Sequence, residues 1–139
     1  MTAKEYLKQA YRLDKLIEHD QREIERLQLL SVSIAPVDTT RENVQGGNKV
    51  HDTIGEIIAR IDEYARRLND EIDEFVDLKT EIHSKIMKVQ NNDARLILLY
   101  RYLEFMKWEE IAVKMGYSFQ WVHVLHKRAL KNFEKILNS

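Results

Sequence analysis

A seven-residue repeat of apolar side chains runs through the middle of the chain. Its main row is Ile54, Ile61, Leu68, Phe75, Ile82 and Val89, and its companion row is Ile58, Ala65, Ile72 and Ile86, broken by Lys79. Such a repeat predicts a long α-helix, because seven-residue spacing keeps one apolar stripe facing a partner helix. We therefore expect a helix over about 51–90. Its predicted seam comprises Ile54, Ile58, Ile61, Leu68, Ile72, Phe75 and Ile82.

Residues 3–30 carry a second repeat of the same kind and predict a second long helix. Its two interleaved rows are Tyr6, Leu13 and Leu27, and Ala10, Ile17 and Ile24, broken by Asp20. If the two helices fold back with residue 30 opposite about 54, Asp20 falls near Tyr64 or Arg67, and Lys79 near Glu5. A coiled coil between two chains would use the same residues, so the spacing leaves an antiparallel hairpin and a homodimer both open.

The repeat stops between the two helices. Residues 31–50 contain Pro36, a polar run and Gly46-Gly47, which predict a loop. A connection of this length without its own secondary structure usually implies mobility or function. We therefore predict a helical hairpin over residues 1–90 with a flexible loop at 31–50, followed by a second domain over residues 91–139.

Composition favours an all-α fold. The chain has 139 residues, a single proline and four glycines, and 32% of its residues are charged, which suits long exposed helices. The absence of cysteine excludes disulfides and thiolate zinc sites. The N-terminus is polar, without an apolar signal segment, and no apolar run is long enough to span a bilayer, so we expect a cytoplasmic protein without membrane contact.

Residues 91–139 show the spacing of a helix-turn-helix. Asn91 is the predicted cap of a helix over about 94–105, and two further helices are predicted from Trp108 to Met115 and from Phe119 to about Leu137. Gly116 can supply the positive φ that ends one helix, and Ser118 can cap the next. The predicted core positions are Leu96, Leu99, Tyr100, Leu103, Ile111, Met115, Val122, Leu125, Ala129, Phe133 and Ile136. This spacing points to DNA binding.

These residues resemble a known family. The segments Leu98-Leu99-Tyr100-Arg101-Tyr102-Leu103, Trp108-Glu109-Glu110-Ile111-Ala112, Met115-Gly116-Tyr117-Ser118 and Lys127-Arg128-Ala129-Leu130 resemble the fourth conserved region of bacterial sigma factors, which reads the promoter −35 element. Over about residues 40–137 the chain resembles phage-encoded transcriptional regulators of the RinA/ArpU type. The resemblance implies a phage or prophage protein that controls late-gene transcription in the bacterial host cytoplasm, with double-stranded DNA and host RNA polymerase as partners.

The predicted DNA contacts lie on the outward face of the last helix. For the bases they are Ser118, Phe119, Gln120, His123 and Lys127, and for the phosphates Lys114, Arg128 and Lys131. Glutamine can pair with adenine through two hydrogen bonds, and phenylalanine can contact a thymine methyl group. Sigma factors carry Arg and Glu readers where this chain has Phe119, Gln120 and His123, so the target sequence should differ. Trp121, like Phe119, could instead pack against another helix or subunit.

The distribution of charge is consistent with DNA binding by the second domain. Residues 91–139 hold eight Lys/Arg and five Asp/Glu, which gives +3, and residues 1–90 hold fourteen and eighteen, which gives −4 and the total of −1.

The sequence shows no clear metal or catalytic site. His123 and His126 are three apart but lack a third metal ligand nearby in sequence. The acidic stripe of Asp70, Glu74, Asp77 and Glu81 fits a solvated helix flank, with Lys85 as an ion-pair partner. With no phosphate loop or nucleophile elbow, we expect neither an enzyme nor a bound cofactor or metal.

Two other functions fit the same pattern. Small terminase subunits of DNA-packaging machines also combine a helix-turn-helix with long helices, and ring-like oligomers would favour that class. The three-helix unit could alternatively bind RNA polymerase or another protein without touching DNA. A regulator that binds as a two-fold dimer predicts inverted half-sites about one helical turn apart, whereas a monomer beside polymerase predicts a single site.

Overall fold

The computed structural model describes residues 1–34 and 44–139, and it describes side chains in the second range from residue 52 onward. The described residues form helices and no strand, which confirms the all-α class. The α-helices are α1 (Ala3–Leu7), α2 (Gln9–Ile34), α3 (Val44–Ile86), α4 (Asn92–Leu98), α5 (Trp108–Met115) and α6 (Phe119–Leu137). A π-helical segment, Leu99–Leu103, follows α4 directly.

The predicted first helix is present but interrupted near its start. Thr2 caps α1, where its hydroxyl accepts from the backbone N–H of Glu5 and the Glu5 carboxylate accepts from the backbone N–H of Thr2. This reciprocal arrangement satisfies two backbone donors that a helix start leaves open. Lys8 separates α1 from α2, yet its N–H donates to the carbonyl of Lys4 at 3.0 Å, so the helical bonding barely breaks.

Both ends of the predicted loop 31–50 are helical in the structure. Residues 31–34 form the last turn of α2, and residues 44–50, with Gly46 and Gly47, form the start of α3. Glycine inside a helix costs about 1 kcal/mol relative to alanine, so two glycines lower helix stability without forbidding a helix. Residues 35–43, which include Pro36, lie outside the described residues. The predicted mobility of the loop concerns these residues and stays a prediction.

The third predicted helix changes its winding partway along. After α4, the N–H of Glu104 donates to the carbonyl of Leu99 at 3.0 Å, which is the five-residue step of a π-helix. The wider turn rotates the side chains relative to an α-helix. Leu96, a predicted core position, lies in α4 before this segment and is 37% exposed, whereas Ile97, Leu98, Tyr102 and Leu103 are buried.

The chain divides into two compact units. Unit 1 comprises Met1–Asp14 and Glu74–Ser139, and unit 2 comprises Lys15–Asp73. The predicted boundary at residue 90 therefore differs from this division, because α1 and the end of α3 contribute to the core that α6 builds. That core contains Ala3, Tyr6, Leu7, Ala10, Ile82, Ile86, Val89, Ala94, Ile97, Leu98, Tyr102, Leu103, Ile111, Ala112, Val122, Ala129 and Phe133.

Unit 2 is formed by the rest of α2 and α3 and buries far fewer apolar side chains. Ile17, Leu27 and Ile57 are buried there, together with the carboxylate of Asp20. Nδ1 of His19 lies 3.3 Å from Oδ1 of Asp20, and Oδ2 of Asp20 has no hydrogen-bond partner among the described residues. The break in the first repeat is thus a buried polar side chain.

The main row of the predicted seam on α3 points inward, whereas its companion row is exposed at two positions. Ile54, Ile61, Leu68 and Phe75 are half-buried and Ile82 is fully buried. Ile58 and Ile72, by contrast, are 51% and 37% exposed. Ile57 and Ile58 follow Ile54 of the main row by three and four residues, so they lie on opposite sides of that row. The structure buries the side of α3 that carries Ile57 and leaves the side that carries Ile58 exposed.

The predicted pairing of the two helices also shifts. In unit 1 the ammonium of Lys85 lies 4.6 Å from the ring centre of Tyr6, whereas the predicted register placed Lys79 beside Glu5. Lys79 instead lies 5.2 Å from the ring centre of Phe75 and 5.8 Å from that of Phe105. The register of the N-terminal helix against α3 is thus shifted by about one heptad, because residue 6 lies opposite residue 85 and the prediction had residue 5 opposite residue 79. A shift of one heptad keeps the apolar rows facing each other.

No helix among the described residues combines the length and the apolar character needed to cross a membrane.

Candidate nucleic-acid interface

The turn between α5 and α6 has the geometry that the sequence predicts. Gly116 ends α5 in the left-handed region, with φ of 73°, and its neighbour Tyr117 donates from its N–H to the carbonyl of Ala112 at 3.0 Å. Ser118 then caps α6, because its hydroxyl accepts from the N–H of Trp121 at 3.1 Å. Both helix ends are therefore closed by local hydrogen bonds, which fixes the angle at which α6 leaves the turn.

The Tyr117 side chain ties this turn to α4. Its hydroxyl donates to the Asp93 carboxylate at 2.7 Å, and this hydrogen bond raises the pKa of Tyr117. Asp93 itself lies in the first turn of α4, which Asn91 caps by accepting from the N–H of Ala94, as predicted. The turn is thus held from within and from the preceding helix.

The two helices of the motif meet through small and branched side chains. Ile111, Ala112 and Val122 are buried where α5 and α6 meet, and the next turns of α6 bury Ala129 and Phe133 against the rest of unit 1. The helix α5 starts without a side-chain cap at Lys107, and its first turn contains Glu109 and Glu110. Their negative charges lie where the helix dipole is positive, which offsets part of the missing cap.

Most predicted DNA contacts lie on the exposed side of α6. Ser118, Gln120, Lys127, Arg128 and Lys131 are exposed there, and Lys114 is exposed on α5. The Arg128 guanidinium lies 5.3 Å from the ring centre of Trp121, and the Lys114 ammonium lies 5.0 Å from that of Tyr100. Both cations therefore rest on aromatic faces, which orients them without neutralising their charge.

Aromatic side chains occupy much of the same surface. Phe119 and Trp121 are 44% and 40% exposed, large values for rings of this size. His123, which is predicted to contact a base, is half-buried between two aromatic rings. Its ring centre lies 4.6 Å from that of Phe119 and 4.9 Å from that of Trp108. The structure therefore assigns His123 a packing contact at the start of α6, in addition to its exposed edge.

A buried histidine that sequence reasoning missed lies one turn further along α6. His126 is buried, its Nε2 is 2.6 Å from the hydroxyl of Tyr102, and its ring centre is 4.5 Å from that of Trp108. The spacing 122, 126, 129, 133 is as good a helical stripe as the predicted one through Leu125, which is only half-buried. That spacing could have predicted the burial of His126, but a polar residue such as histidine is not expected in an apolar stripe.

Burial and nearby cations control the ionisation of this pair. Burial, and to a smaller extent the charges of Lys4, Arg101, His123 and Lys8, lower the pKa of His126 to about 4. Burial likewise raises the pKa of Tyr102 to about 12. At neutral pH both groups are uncharged, so the 2.6 Å contact is a hydrogen bond between a neutral imidazole and a phenol.

Arg101 completes the surroundings of Trp108. Its guanidinium lies 4.6 Å from the ring centre of Trp108, and its Nη1 donates to the carbonyl of Met106 at 2.9 Å. The first turn of α5 is therefore flanked by a fixed cation.

Within the described part of the chain, no group of three or more histidine, aspartate or glutamate side chains has the geometry to hold a metal ion.

Residues 29–134 match the family described as "Protein of unknown function (DUF1492)". The chain belongs to this family. No curated protein and no solved structure matches the chain at a significant level.

The DUF1492 match has a structural consequence. It includes the whole of α3, α4 and α5 and nearly all of α6, so the helix-turn-helix lies inside the family region. It begins within α2 and leaves out α1, although α1 contributes buried residues to the same core as α6. In this member of DUF1492, the motif is therefore completed by a helix outside the matched residues.

Proposed function

We propose that this protein is a sequence-specific, double-stranded-DNA-binding transcriptional regulator that reads DNA with α6. The observation that carries the proposal is the fixed turn from Gly116 to Ser118, which presents an exposed helix face bearing Gln120, Lys127 and Lys131. A helix-turn-helix inserts the start of its second helix into the major groove, where an exposed polar side chain can reach base edges.

Roles for single residues follow from their exposure. Gln120 is the strongest candidate for a base contact, because its amide can donate to and accept from adenine at once. Phe119, which is exposed, is the proposed contact to a thymine methyl group. Lys127, Arg128, Lys131 and Lys114 are the proposed phosphate contacts, and the +3 charge of residues 91–139 suits that role.

The regulatory role rests on the resemblance to RinA/ArpU-type regulators and to the fourth conserved region of sigma factors. We infer a phage or prophage protein that controls late genes in a bacterial host, bound beside host RNA polymerase. The half-exposed Ile58 and Ile72 on α3 leave an apolar stripe that a second chain could cover. Whether the protein binds as a monomer or a homodimer decides between one site and inverted half-sites.

The direct test is selection of duplexes from a random pool by the full-length protein, followed by the same selection with Gln120→Ala. We expect an enriched site for the wild type and relaxed preference at one base pair for the variant, worth about 1–3 kcal/mol of discrimination. Gln21→Ala, at an exposed position of α2, is the matched control and should select the wild-type site. Unchanged selectivity in Gln120→Ala would remove Gln120 from the base contacts.

A second candidate is a protein-binding module, and one observation favours it. Val113 on α5 is 84% exposed and lies beside Met106, Glu109 and Glu110 in a shallow apolar depression. Exposed apolar side chains of this kind often mark protein contacts. Failure of the wild-type protein to retain any duplex at low salt, together with binding to purified RNA polymerase, would favour this function over the first.

A further inference from the structure

An apolar side chain lies in the middle of the outward face of α6. Val124 is two residues from Val122 and two from His126, and both of these side chains are buried. An α-helix turns by about 100° per residue, so two residues turn it by about 200° and Val124 points away from the core. Its side chain is 39% exposed. The helix face that carries Gln120 thus has a side chain without hydrogen-bonding groups at its centre.

The side chains around Val124 suit a DNA surface. Residues three and four positions away are the nearest neighbours on a helix surface. The exposed neighbours of Val124 at these positions are Gln120, Trp121, Lys127 and Arg128. The guanidinium of Arg128 lies 5.3 Å from the ring centre of Trp121, and residues 119–133 contain no acidic side chain. An apolar centre with a cationic rim is complementary in charge to a groove between two phosphate backbones.

The major groove offers one kind of apolar group to such a centre. Every base pair presents hydrogen-bond donors or acceptors there, and thymine adds a methyl group at C5. A valine placed against donors and acceptors would remove their water without replacing the lost hydrogen bonds, which is unfavourable. Against a methyl group, both partners remove apolar surface from water, which is favourable. Val124 is therefore suited to distinguish thymine from the other bases.

We propose that Val124 reads the methyl group of a thymine in the major groove. The inference rests on the proposed function and adds a base-reading residue to it. Gln120 precedes Val124 by about 6 Å along the helix axis, and successive bases of a strand are about 3.4 Å apart, so the thymine lies within about two base pairs of the one that Gln120 reads. Phe119, the other proposed methyl contact, packs against His123, with ring centres 4.6 Å apart.

The test removes the methyl group and keeps the hydrogen-bonding groups of the base. Each thymine of the selected duplex is replaced in turn by deoxyuridine, and binding of the full-length protein is measured by anisotropy of the labelled duplex. One replacement, close to the base pair whose preference Gln120→Ala relaxes, should weaken binding about fourfold, which is the size expected for one buried methyl group. The other replacements should have smaller effects.

Val124→Ala identifies the protein side of the contact. The variant should bind the selected duplex about fourfold more weakly than the wild type and should bind the deoxyuridine duplex equally well, because the effects of two groups in contact do not add. Circular dichroism should show the wild-type helix content, since Val124 is exposed and alanine favours a helix. Val76→Ala, at an exposed valine of α3, is the matched control and should keep the fourfold loss.

Three results would overturn the inference and leave the proposed function standing. The first is a selected site without thymine near the base pair that Gln120 reads, and the second is wild-type binding that tolerates every deoxyuridine. The third is a fourfold loss that persists in Val124→Ala, and its disappearance in Phe119→Ala would assign the methyl contact to Phe119. Absence of any duplex binding by the wild type would overturn both the inference and the proposed function.

Discussion

Among the described residues, the buried polar side chains His126 in unit 1 and Asp20 in unit 2 differ in how they are satisfied. In unit 1, His126 is buried against Trp108 and pairs with the Tyr102 hydroxyl at 2.6 Å. In unit 2, Asp20 is 3% exposed and its Oδ2 has no hydrogen-bond partner among the described residues. A buried oxygen without a partner costs about 1–3 kcal/mol, whereas a satisfied pair contributes about 1 kcal/mol. His126 is thus the better satisfied of these two buried side chains.

The apolar cores differ in the same direction. Seventeen buried residues from both ends of the chain form the core of unit 1, whereas Ile17, Leu27 and Ile57 are the buried apolar residues among the described residues of unit 2. Because stability follows the apolar area removed from water, most of it should reside in unit 1. The proposed DNA-reading face is therefore carried by the more stable unit, as a rigid recognition surface requires.

The largest expected effect compares truncations in the two cores. Phe133→Ala should lower the free energy of unfolding by about 3–5 kcal/mol, because a fully buried ring leaves a large cavity. Ile57→Ala in unit 2 should cost about 2 kcal/mol, at the low end for such a change, since a thin two-helix layer can close the gap. Urea unfolding followed by circular dichroism gives both values. Equal losses would show that the two cores are equally well packed.

The probe can be made specific to one unit. Both tryptophans of the chain, Trp108 and Trp121, lie in unit 1, so their fluorescence reports on that unit, whereas circular dichroism reports on all helices. Phe133→Ala should move the fluorescence midpoint strongly. Ile57→Ala should move the dichroism transition more than the fluorescence transition. Coincident transitions in every variant would mean that the units unfold in one step.

The second expected effect is a pH dependence that belongs to unit 1. The pKa of His126 is about 4 in the folded protein and near 6.5 in the unfolded chain. Between these two pH values the unfolded chain binds a proton at His126 and the folded protein does not. The free energy of unfolding is therefore highest above pH 6.5, as far as His126 is concerned, and decreases as the pH falls toward 4. The loss amounts to at most about 3 kcal/mol for a shift of this size.

His126→Gln isolates that contribution. Glutamine can still bond to Tyr102 but does not titrate, so the variant should lose less stability between pH 7 and pH 4 than the wild type, by up to about 3 kcal/mol. His83→Gln, at an exposed position of α3 in unit 1, is the control and should keep the wild-type profile. Parallel profiles for wild type and His126→Gln would mean that His126 takes up its proton in both states at similar pH.

The sequence predicts this molecule best where local signals decide. The turn from Gly116 to Ser118 and the bounds of α5 agree with prediction, because a positive φ and a side-chain cap are properties of a few neighbouring residues. The DNA-contacting roles of Gln120 and Lys127 remain predictions. Their exposure on α6 agrees with those roles, since an outward helix position follows from the apolar stripe on the other side.

Prediction was weaker where distant segments must choose among equivalent partners. A heptad repeat fits its partner equally well after a shift of seven residues, which is why Lys85 rather than Lys79 lies beside the N-terminal helix. The burial of His126 depends on Tyr102, twenty-four residues earlier, whose position the π-helical segment sets. No local pattern around His126 specifies such a pair.

The smallest expected effect concerns Asp20 and sharpens the contrast between the units. Asp20→Leu should stabilise the protein by about 1–2 kcal/mol, because it removes a buried oxygen without a partner and extends the apolar row of α2. The gain should appear in urea unfolding followed by circular dichroism and be smaller in the tryptophan signal of unit 1. Glu25→Leu, at an exposed position of the same helix, should change stability by less than about 0.5 kcal/mol.

The opposite result would be equally informative about unit 2. A destabilised Asp20→Leu would mean that the carboxylate has a partner that stabilises the fold, and a change in oligomeric state on the same substitution would place that partner on a second chain. A single polar residue in a helical seam can fix register and the number of chains at a cost in stability. Sedimentation of both variants beside the wild type therefore distinguishes a residue that merely weakens unit 2 from one that selects its pairing.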